Sequence, residues 1–149
     1  MEMTDPPCNM NKYKLLNCIR KVEYLSKKMK SYDFCDLASS NEKTIKYLSK
    51  KGLLCASATC TGCNRSMRRQ IFLASPDGVV NRCPKCKKRS TIRKGTIFED
   101  TNIALRDILS IVFFMLLEVN QKNVSSAISL DEQTVSAWQA KTRDQSLKE

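Results

Sequence analysis

The 149-residue sequence predicts a small α+β protein with N-terminal helices, a ribbon of short antiparallel strands and a C-terminal unit of three helices. Three observations carry this prediction. Two Cys-x2-Cys pairs lie 19 residues apart, turn-forming residues interrupt the stretch between them, and apolar residues recur every three or four positions on either side. The expected divisions are disorder at 1–11, a helical segment at 12–54, the ribbon at 55–98 and a helix-turn-helix domain at 99–149.

The cysteine pairs Cys60–Cys63 and Cys83–Cys86 predict a metal site. Cysteines spaced in this way can point both sulfurs at one centre, and two such turns close the tetrahedral thiolate site that Zn²⁺ prefers. The chain has no histidine, and four protein ligands leave no coordination position for an activated water. We therefore expect one structural Zn²⁺. Two disulfides, which need an oxidising compartment, and iron–sulfur ligation are the alternatives.

Positive charge is concentrated on the ribbon. The whole chain has a net charge of +11, and residues 60–98 carry ten Lys and Arg against one acidic residue. By contrast, residues 99–149 carry five basic residues against eight acidic ones. Such a surplus favours a polyanionic partner, for which nucleic acid is the common choice. Solubility alone is the simpler explanation.

The segment before the ribbon is predicted to contain two helices. Residues 12–30 have an apolar stripe at helical spacing, formed by Leu15, Ile19, Val22, Leu25 and Met29. This helix would pack on a core, or it would serve dimerisation, giving a homodimer, or flank DNA. A second helix is expected from a cap at Ser40 or Asn41 to a stop at Gly52.

The ribbon is predicted to be made of short strands. Strands at 67–74 and 79–82 flank a turn at 75–78, where proline, aspartate and glycine occur in succession. After the second cysteine pair, strands at 90–92 and 96–98 are expected around a further turn. So few apolar residues cannot hold this unit alone, so its folding should depend on zinc.

A strongly apolar helix is expected at 103–119, with Thr101 or Asn102 as its cap. Apolar residues occur nearly all round this helix, which is typical of a central buried element. The longest apolar run, 108–117, is too short to span a bilayer, which needs roughly 20 residues.

The next segment has a helix-turn-helix pattern. A short helix at 124–128 precedes a third helix at 132–144, for which Asp131 is the expected N-cap. Ser129 stands in the turn where glycine is favoured. The exposed face of the third helix, which could enter a major groove, is expected to carry Gln133, Ser136, Ala137 and Lys141.

The order of these parts matches a known family. The match consists of the helix at 41–54, the two cysteine pairs, the segment STIRKGTIFE at 90–99, and the helices at 105–117 and 124–138. In this order they resemble the N-terminal region of Merlin-type transposases and their bacterial insertion-sequence relatives. The resemblance implies binding to the terminal inverted repeats of a DNA element.

The family also has a downstream catalytic domain of RNase H-like fold with metal-binding carboxylates. Only eleven residues follow Trp138, too few for such a sheet. We therefore expect a truncated or domesticated copy, or an excised fragment, without enzyme activity. A second departure is Lys87, which stands where the family has glycine after its second cysteine pair.

These features together predict a non-enzymatic, zinc-dependent protein that binds double-stranded DNA. The predicted phosphate contacts are Arg65, Arg68, Arg69, Lys87, Lys88, Arg89, Arg93 and Lys94. Base readout is expected from the third helix, where Gln133 can address adenine and Lys141 guanine. The main alternative is a zinc-ribbon module for protein–protein interaction in transcription, and RNA binding is a third. No small-molecule substrate or membrane is expected, and the protein should be intracellular, or nuclear in a eukaryote.

Overall fold

The computed structural model describes residues 29–55 and 57–146, with side chains as far as Arg143. The disorder expected at 1–11 and all but the end of the helix expected at 12–30 lie outside the described residues. Met29 and Lys30 are not helical, and Lys30 has extended backbone with φ −75° and ψ 152°. No helix in the described part of the chain is long and apolar enough to cross a membrane.

Within these ranges the protein is a small α+β fold with five helices and one antiparallel sheet of four strands. The helices are α1 (Ser31–Ala38), α2 (Asn41–Lys50), α3 (Leu105–Leu116), α4 (Gln121–Ile128) and α5 (Glu132–Ser146). The strands are β1 (Ala58–Thr59), β2 (Ser66–Ile71), β3 (Val79–Arg82) and β4 (Arg89–Ser90), and each pairs with the next along the chain. The predicted α+β class is confirmed.

Helix α2 follows its local signals, whereas α1 has weak signals and was not predicted. The side chain of Ser40 accepts the amide of Lys43 at 3.2 Å, as expected of an N-cap. After the helix, Gly52 has a φ of +75°, a left-handed conformation that glycine adopts without strain. Helix α1 buries a single apolar side chain, Phe34, which stacks on Phe113 of α3 at 4.0 Å between ring centroids. One buried position gives no periodicity to recognise.

The sheet differs from prediction at both ends. Strand β2 ends at Ile71, and the connection to β3 is a longer loop in which the amide of Phe72 donates to the carbonyl of Gly78 at 2.9 Å. The strand expected at 96–98 is wrong, because this segment forms turns that carry Phe98 into contact with Trp138. The fourth strand is instead β1, which precedes the first cysteine.

Helix α3 begins two residues later than expected. Its N-cap is Ala104, without a side-chain hydrogen bond, so the predicted cap at Thr101 or Asn102 is wrong. Thr101 is used differently, since its hydroxyl accepts the amide of Ile103 at 3.3 Å and its carbonyl accepts a hydrogen bond from Arg93. The helix is central, as predicted.

The chain between α4 and α5 turns at Ser129, which has left-handed backbone with φ 56° and ψ 39°. The Ser125 hydroxyl donates to the carbonyl of Leu130 and closes the turn. Asp131 caps α5 as predicted, accepting the amide of Thr134 at 2.8 Å and its hydroxyl at 2.6 Å. Residues from all five helices and from segments 53–54 and 92–98 form one apolar cluster, which we call the helical core.

Candidate metal centre and basic sheet face

Two turns with the same backbone hydrogen bonds position the four cysteines. The amide of Cys60 donates to the carbonyl of Arg65 at 2.9 Å, and the amide of Asn64 donates to the carbonyl of Cys60 at 2.9 Å. The same pair of bonds recurs around Cys83, at 2.9 and 3.2 Å. We call these turns the first knuckle (60–65) and the second knuckle (83–88). Each knuckle turns two thiols toward the other knuckle.

The residue after each cysteine pair has left-handed backbone. Asn64 has a φ of 55° and Lys87 a φ of 62°. Asparagine tolerates this conformation, whereas a lysine is strained in it, which explains why glycine is favoured at such a position. The Lys87 ammonium donates to the carbonyl of Pro84 at 2.8 Å and so closes over its own knuckle.

The four sulfurs form one cluster. Sulfur–sulfur distances are 3.2 Å for Cys60 and Cys86, 3.3 Å for Cys63 and Cys83, and 4.0 Å for Cys63 and Cys86. Four sulfurs bound tetrahedrally at about 2.3 Å from a metal would lie about 3.8 Å apart, whereas a disulfide holds its sulfurs at about 2.0 Å. The cluster is therefore made of free thiols that could share one metal ion.

Hydrogen bonds make the thiols differ in acidity. The backbone amide of Cys86 donates to the Cys83 sulfur and, with further hydrogen bonds, lowers the pKa of Cys83 to about 6. A hydrogen bond with the Cys86 thiol, followed by one from the Gly62 amide, lowers the pKa of Cys60. At Cys86 the Lys88 amide lowers the pKa, but the three other thiols and burial together raise it to about 11. A bound cation would therefore have to displace a proton from Cys86.

Lys88 connects the two knuckles. Its carbonyl accepts the Cys83 amide, and its side chain lies across the first knuckle at Gly62. A Cβ on Gly62 would come within 2.8 Å of the Lys88 Nζ, so a larger residue there would displace the ammonium. This places a positive charge at the first knuckle.

Cys55 is disulfide-bonded and does not belong to the cluster. The apolar support of the cluster is small: beside Cys60 and Cys83, the one buried hydrophobic side chain in contact is Met67 among the described residues. Three buried side chains cannot balance the entropy lost on ordering the two knuckles.

Seven of the eight predicted phosphate contacts on the ribbon are exposed: Arg65, Arg68, Arg69, Lys87, Lys88, Arg89 and Lys94. Arg69 is nevertheless held by the fold, because its Nη2 donates to the Ser49 hydroxyl at 3.1 Å and to the Cys55 carbonyl at 3.0 Å. It fastens β2 to the end of α2.

The eighth residue, Arg93, is buried, and its predicted phosphate contact is wrong. Its side chain is 4% exposed and forms a two-pronged ion pair with Asp77, at 2.9 Å for Nε and 2.6 Å for Nη2. Its Nη1 donates to the carbonyl of Thr101 at 2.9 Å. Arg93 therefore joins the loop between β2 and β3 to the chain that leads into α3. Asp77 is also the single acidic residue of segment 60–98.

Three arginines stand in one row across the sheet, which we call the arginine rung. Arg68 of β2 is directly opposite Arg82 of β3, and Arg82 is directly opposite Arg89 of β4. Directly opposite residues of an antiparallel ladder share a face, so the three side chains are neighbours. Sequence reasoning does not single out Arg82. The register of β2 against β3 would have placed Arg82 next to Arg68. Because the strand is predicted to run to residue 74, that register cannot be deduced from the sequence.

The predicted base-reading residues share the outer face of α5. Gln133 and Ala137 are exposed and Ser136 is partly exposed. Lys141 is exposed but engaged, since its Nζ donates to the Ile97 carbonyl at 3.0 Å and lies 4.6 Å from the Trp138 ring centre. It anchors α5 to the segment that follows the last strand of the sheet.

No protein-family model, no characterised protein and no solved structure matches this chain. The fold and site define the class by themselves: a small α+β protein with four cysteines placed to bind one metal ion.

Proposed function

We propose that this protein is a zinc-dependent binder of double-stranded DNA, with a structural metal centre and no catalytic role. One observation carries the proposal. The only acidic side chain in segment 60–98, Asp77, is buried against Arg93, which leaves the other nine basic residues of that segment without an acidic partner inside it. A rigid surface with that much uncompensated positive charge suits the phosphate backbone of a nucleic acid.

Zinc is the metal that suits the donor set. Four thiolates in a tetrahedral arrangement favour Zn²⁺, and the knuckle amides that donate to the sulfurs stabilise the ionised ligands. The residues that would hold the ion are Cys60, Cys63, Cys83 and Cys86. With four protein ligands the ion has no position for an activated water, which supports a structural role.

Sequence-specific readout would come from the C-terminal helices. We infer that α3, α4 and α5 act as a helix-turn-helix unit, in which the left-handed turn at Ser129 and the cap at Asp131 set the direction of α5. Gln133 and Ser136 then remain as the polar side chains available to bases, because Lys141 is held by Ile97. The proposal that the chain is related to the DNA-binding region of Merlin-type transposases depends on the sequence resemblance alone.

The proposal is tested by fluorescence anisotropy of labelled random duplexes with the reduced, zinc-loaded protein over a range of salt concentrations. We expect binding in which log Kd rises steeply with log salt, and loss of binding when zinc is chelated. Wild-type protein that binds no duplex at low salt would contradict the proposal. Single-stranded RNA serves as the comparison, and tighter binding to it would assign the surface to RNA instead.

A second candidate function, docking to another protein, is favoured by the end of the β2–β3 hairpin. Ile71 and Leu73 are 76% and 86% exposed there, although both are large apolar side chains. Exposed apolar residues at a loop tip are typical of protein contacts. Protein docking is tested by pull-down with wild type and with the Leu73→Asp variant. A protein partner that the variant no longer binds, and whose affinity for wild type does not depend on salt, would favour docking over DNA binding.

A further inference from the structure

The arginine rung is unfavourable for the free protein. Like charges directly opposite each other in a sheet are destabilising, and here three follow in succession. Among the described residues the salt bridges join Lys43 to Asp36, Arg93 to Asp77 and Arg106 to Asp107, so none of them neutralises the rung. An anion bound between the guanidinium groups would remove this repulsion.

The rung is also partly preorganised. The Arg89 guanidinium lies over the Phe72 ring at 4.6 Å, which restricts its orientation. The Nη1 of Arg82 donates to the Gln70 side chain at 3.1 Å. The Nε of Arg82, by contrast, is buried and has no hydrogen-bond partner among the described residues. A buried donor without an acceptor is costly, so this atom favours an acceptor supplied from outside the chain.

Arg82 also lines a cleft. The volume of this cleft is about 310 Å³, and its walls are formed by Arg68, Arg69, Gln70 and Arg82 on the sheet and by Pro84 and Lys87 on the second knuckle. Four of these six side chains are cationic and none is acidic. The cleft joins the metal centre to the rung, because Cys83 also lines it.

We propose that Arg68, Arg82 and Lys87, with Arg89 next to Arg82 in the rung, form a phosphate clamp that takes one phosphodiester group of a nucleic-acid backbone in this cleft. The inference rests on the proposed DNA binding and adds to it the place where the backbone is held. Arg93 is buried against Asp77, and Arg69, although it lines the cleft, donates to Ser49 and Cys55. The Nε of Arg82, by contrast, remains a donor without an acceptor among the described residues.

The direct test compares Arg82→Gln with the matched control Arg106→Gln, which removes the same charge from α3, outside the ribbon. For zinc-loaded protein and duplex DNA, Arg82→Gln should weaken binding about tenfold or more and reduce the slope of log Kd against log salt by about 0.9, the value for one phosphate contact. The Tm of the free variant should not fall, because the substitution relieves repulsion. Equal effects of the two substitutions on affinity and slope would overturn the clamp, and so would a lower Tm with an unchanged slope.

A second measurement separates the clamp from the proposed function. Titration of ¹⁵N-labelled protein with inorganic phosphate should shift the Arg82 Nε–H resonance, and Arg68→Gln should abolish the shift. If wild type binds no duplex but this shift occurs, the proposed function fails and the clamp stands. If duplex binds and no shift occurs, the clamp fails and DNA binding stands. Polyglutamate that produces the same shift at equal charge would overturn the assignment to phosphate.

Discussion

In the helical core fifteen buried apolar side chains pack together, whereas the knuckles have three buried side chains, two of which are cysteines. The two regions therefore use different sources of stability. Burial of aliphatic and aromatic surface is sufficient for the first, and in the proposed zinc-bound protein thiolate–metal bonds would hold the second. The cationic sheet therefore has almost no core of its own: the Asp77–Arg93 pair fixes it at one end, and the proposed ion would fix it at the other.

We expect the greatest loss of stability at the proposed metal centre. Cys83→Ser removes a buried cysteine of that site, and apparent zinc binding by small structural sites contributes about 10–16 kcal/mol to folding. We expect loss of stoichiometric zinc and of the ribbon's amide dispersion in NMR spectra, while Trp138 fluorescence stays native. Cys35→Ser, an exposed free thiol outside the cluster, is the control and should retain zinc. A Cys83→Ser protein that binds zinc as wild type does would exclude the four-cysteine site.

The buried ion pair that joins the two regions gives the next effect. Asp77→Asn leaves the Arg93 charge buried without a counter-ion, which should lower the free energy of unfolding by about 3–5 kcal/mol. The measurement is urea denaturation of the zinc-loaded protein. Asp36→Asn removes the exposed partner of Lys43 and should change stability by about 1 kcal/mol or less. Equal losses from the two substitutions would show that burial does not set the strength of the Asp77 pair.

The converse experiment creates a cavity in the helical core and leaves the four cysteines intact. Ile111 is fully buried on α3, and Ile111→Ala should cost about 2–5 kcal/mol in urea unfolding followed by Trp138 fluorescence. Zinc affinity, measured by competition with a chromophoric chelator, should remain at the wild-type value. Leu117→Ala at the exposed end of the same helix should change stability by about 0.5 kcal/mol or less. Zinc lost together with the helical core would contradict the separation of the two regions.

The smallest effect concerns the turn between α4 and α5. Ser129 has left-handed backbone, so Ser129→Gly should raise the free energy of unfolding by about 0.5–1 kcal/mol. Ser126→Gly makes the same chemical change inside α4 and should lower it by about 1 kcal/mol. Thermal unfolding of both variants measures the difference in sign. Two losses of equal size would show that the backbone conformation at Ser129 carries no strain.

Features with local signals could be predicted from the sequence. The cysteine pairs, the N-caps at Ser40 and Asp131, and the turn at Gly52 each depend on a few neighbouring residues, and the structure has all of them. Each of these features has a local physical cause. A knuckle points two sulfurs at one centre, and a capping side chain accepts a hydrogen bond from a backbone amide, in each case within about five positions of the chain.

Features that depend on distant partners could not be predicted. Nothing in the sequence around Arg93 distinguishes it from an exposed arginine. It is buried because it pairs with Asp77, which lies sixteen residues earlier in the chain. The arginine rung requires the register of three strands, which the true end of β2 at Ile71 sets. The short strand β1 has no pattern of its own and exists because β2 pairs with it.

We propose that one zinc ion holds the knuckles and the sheet, while the helical core is stable without it. The most direct test of this proposal is a ¹⁵N–¹H correlation spectrum of the reduced wild-type protein before and after zinc removal by a chelator. We predict that amide resonances of 57–90 collapse toward unfolded positions, that those of α3 and the Trp138 indole keep theirs, and that zinc restores the first spectrum. A purified protein without bound zinc whose ribbon resonances are dispersed and unaffected by the chelator would contradict the account.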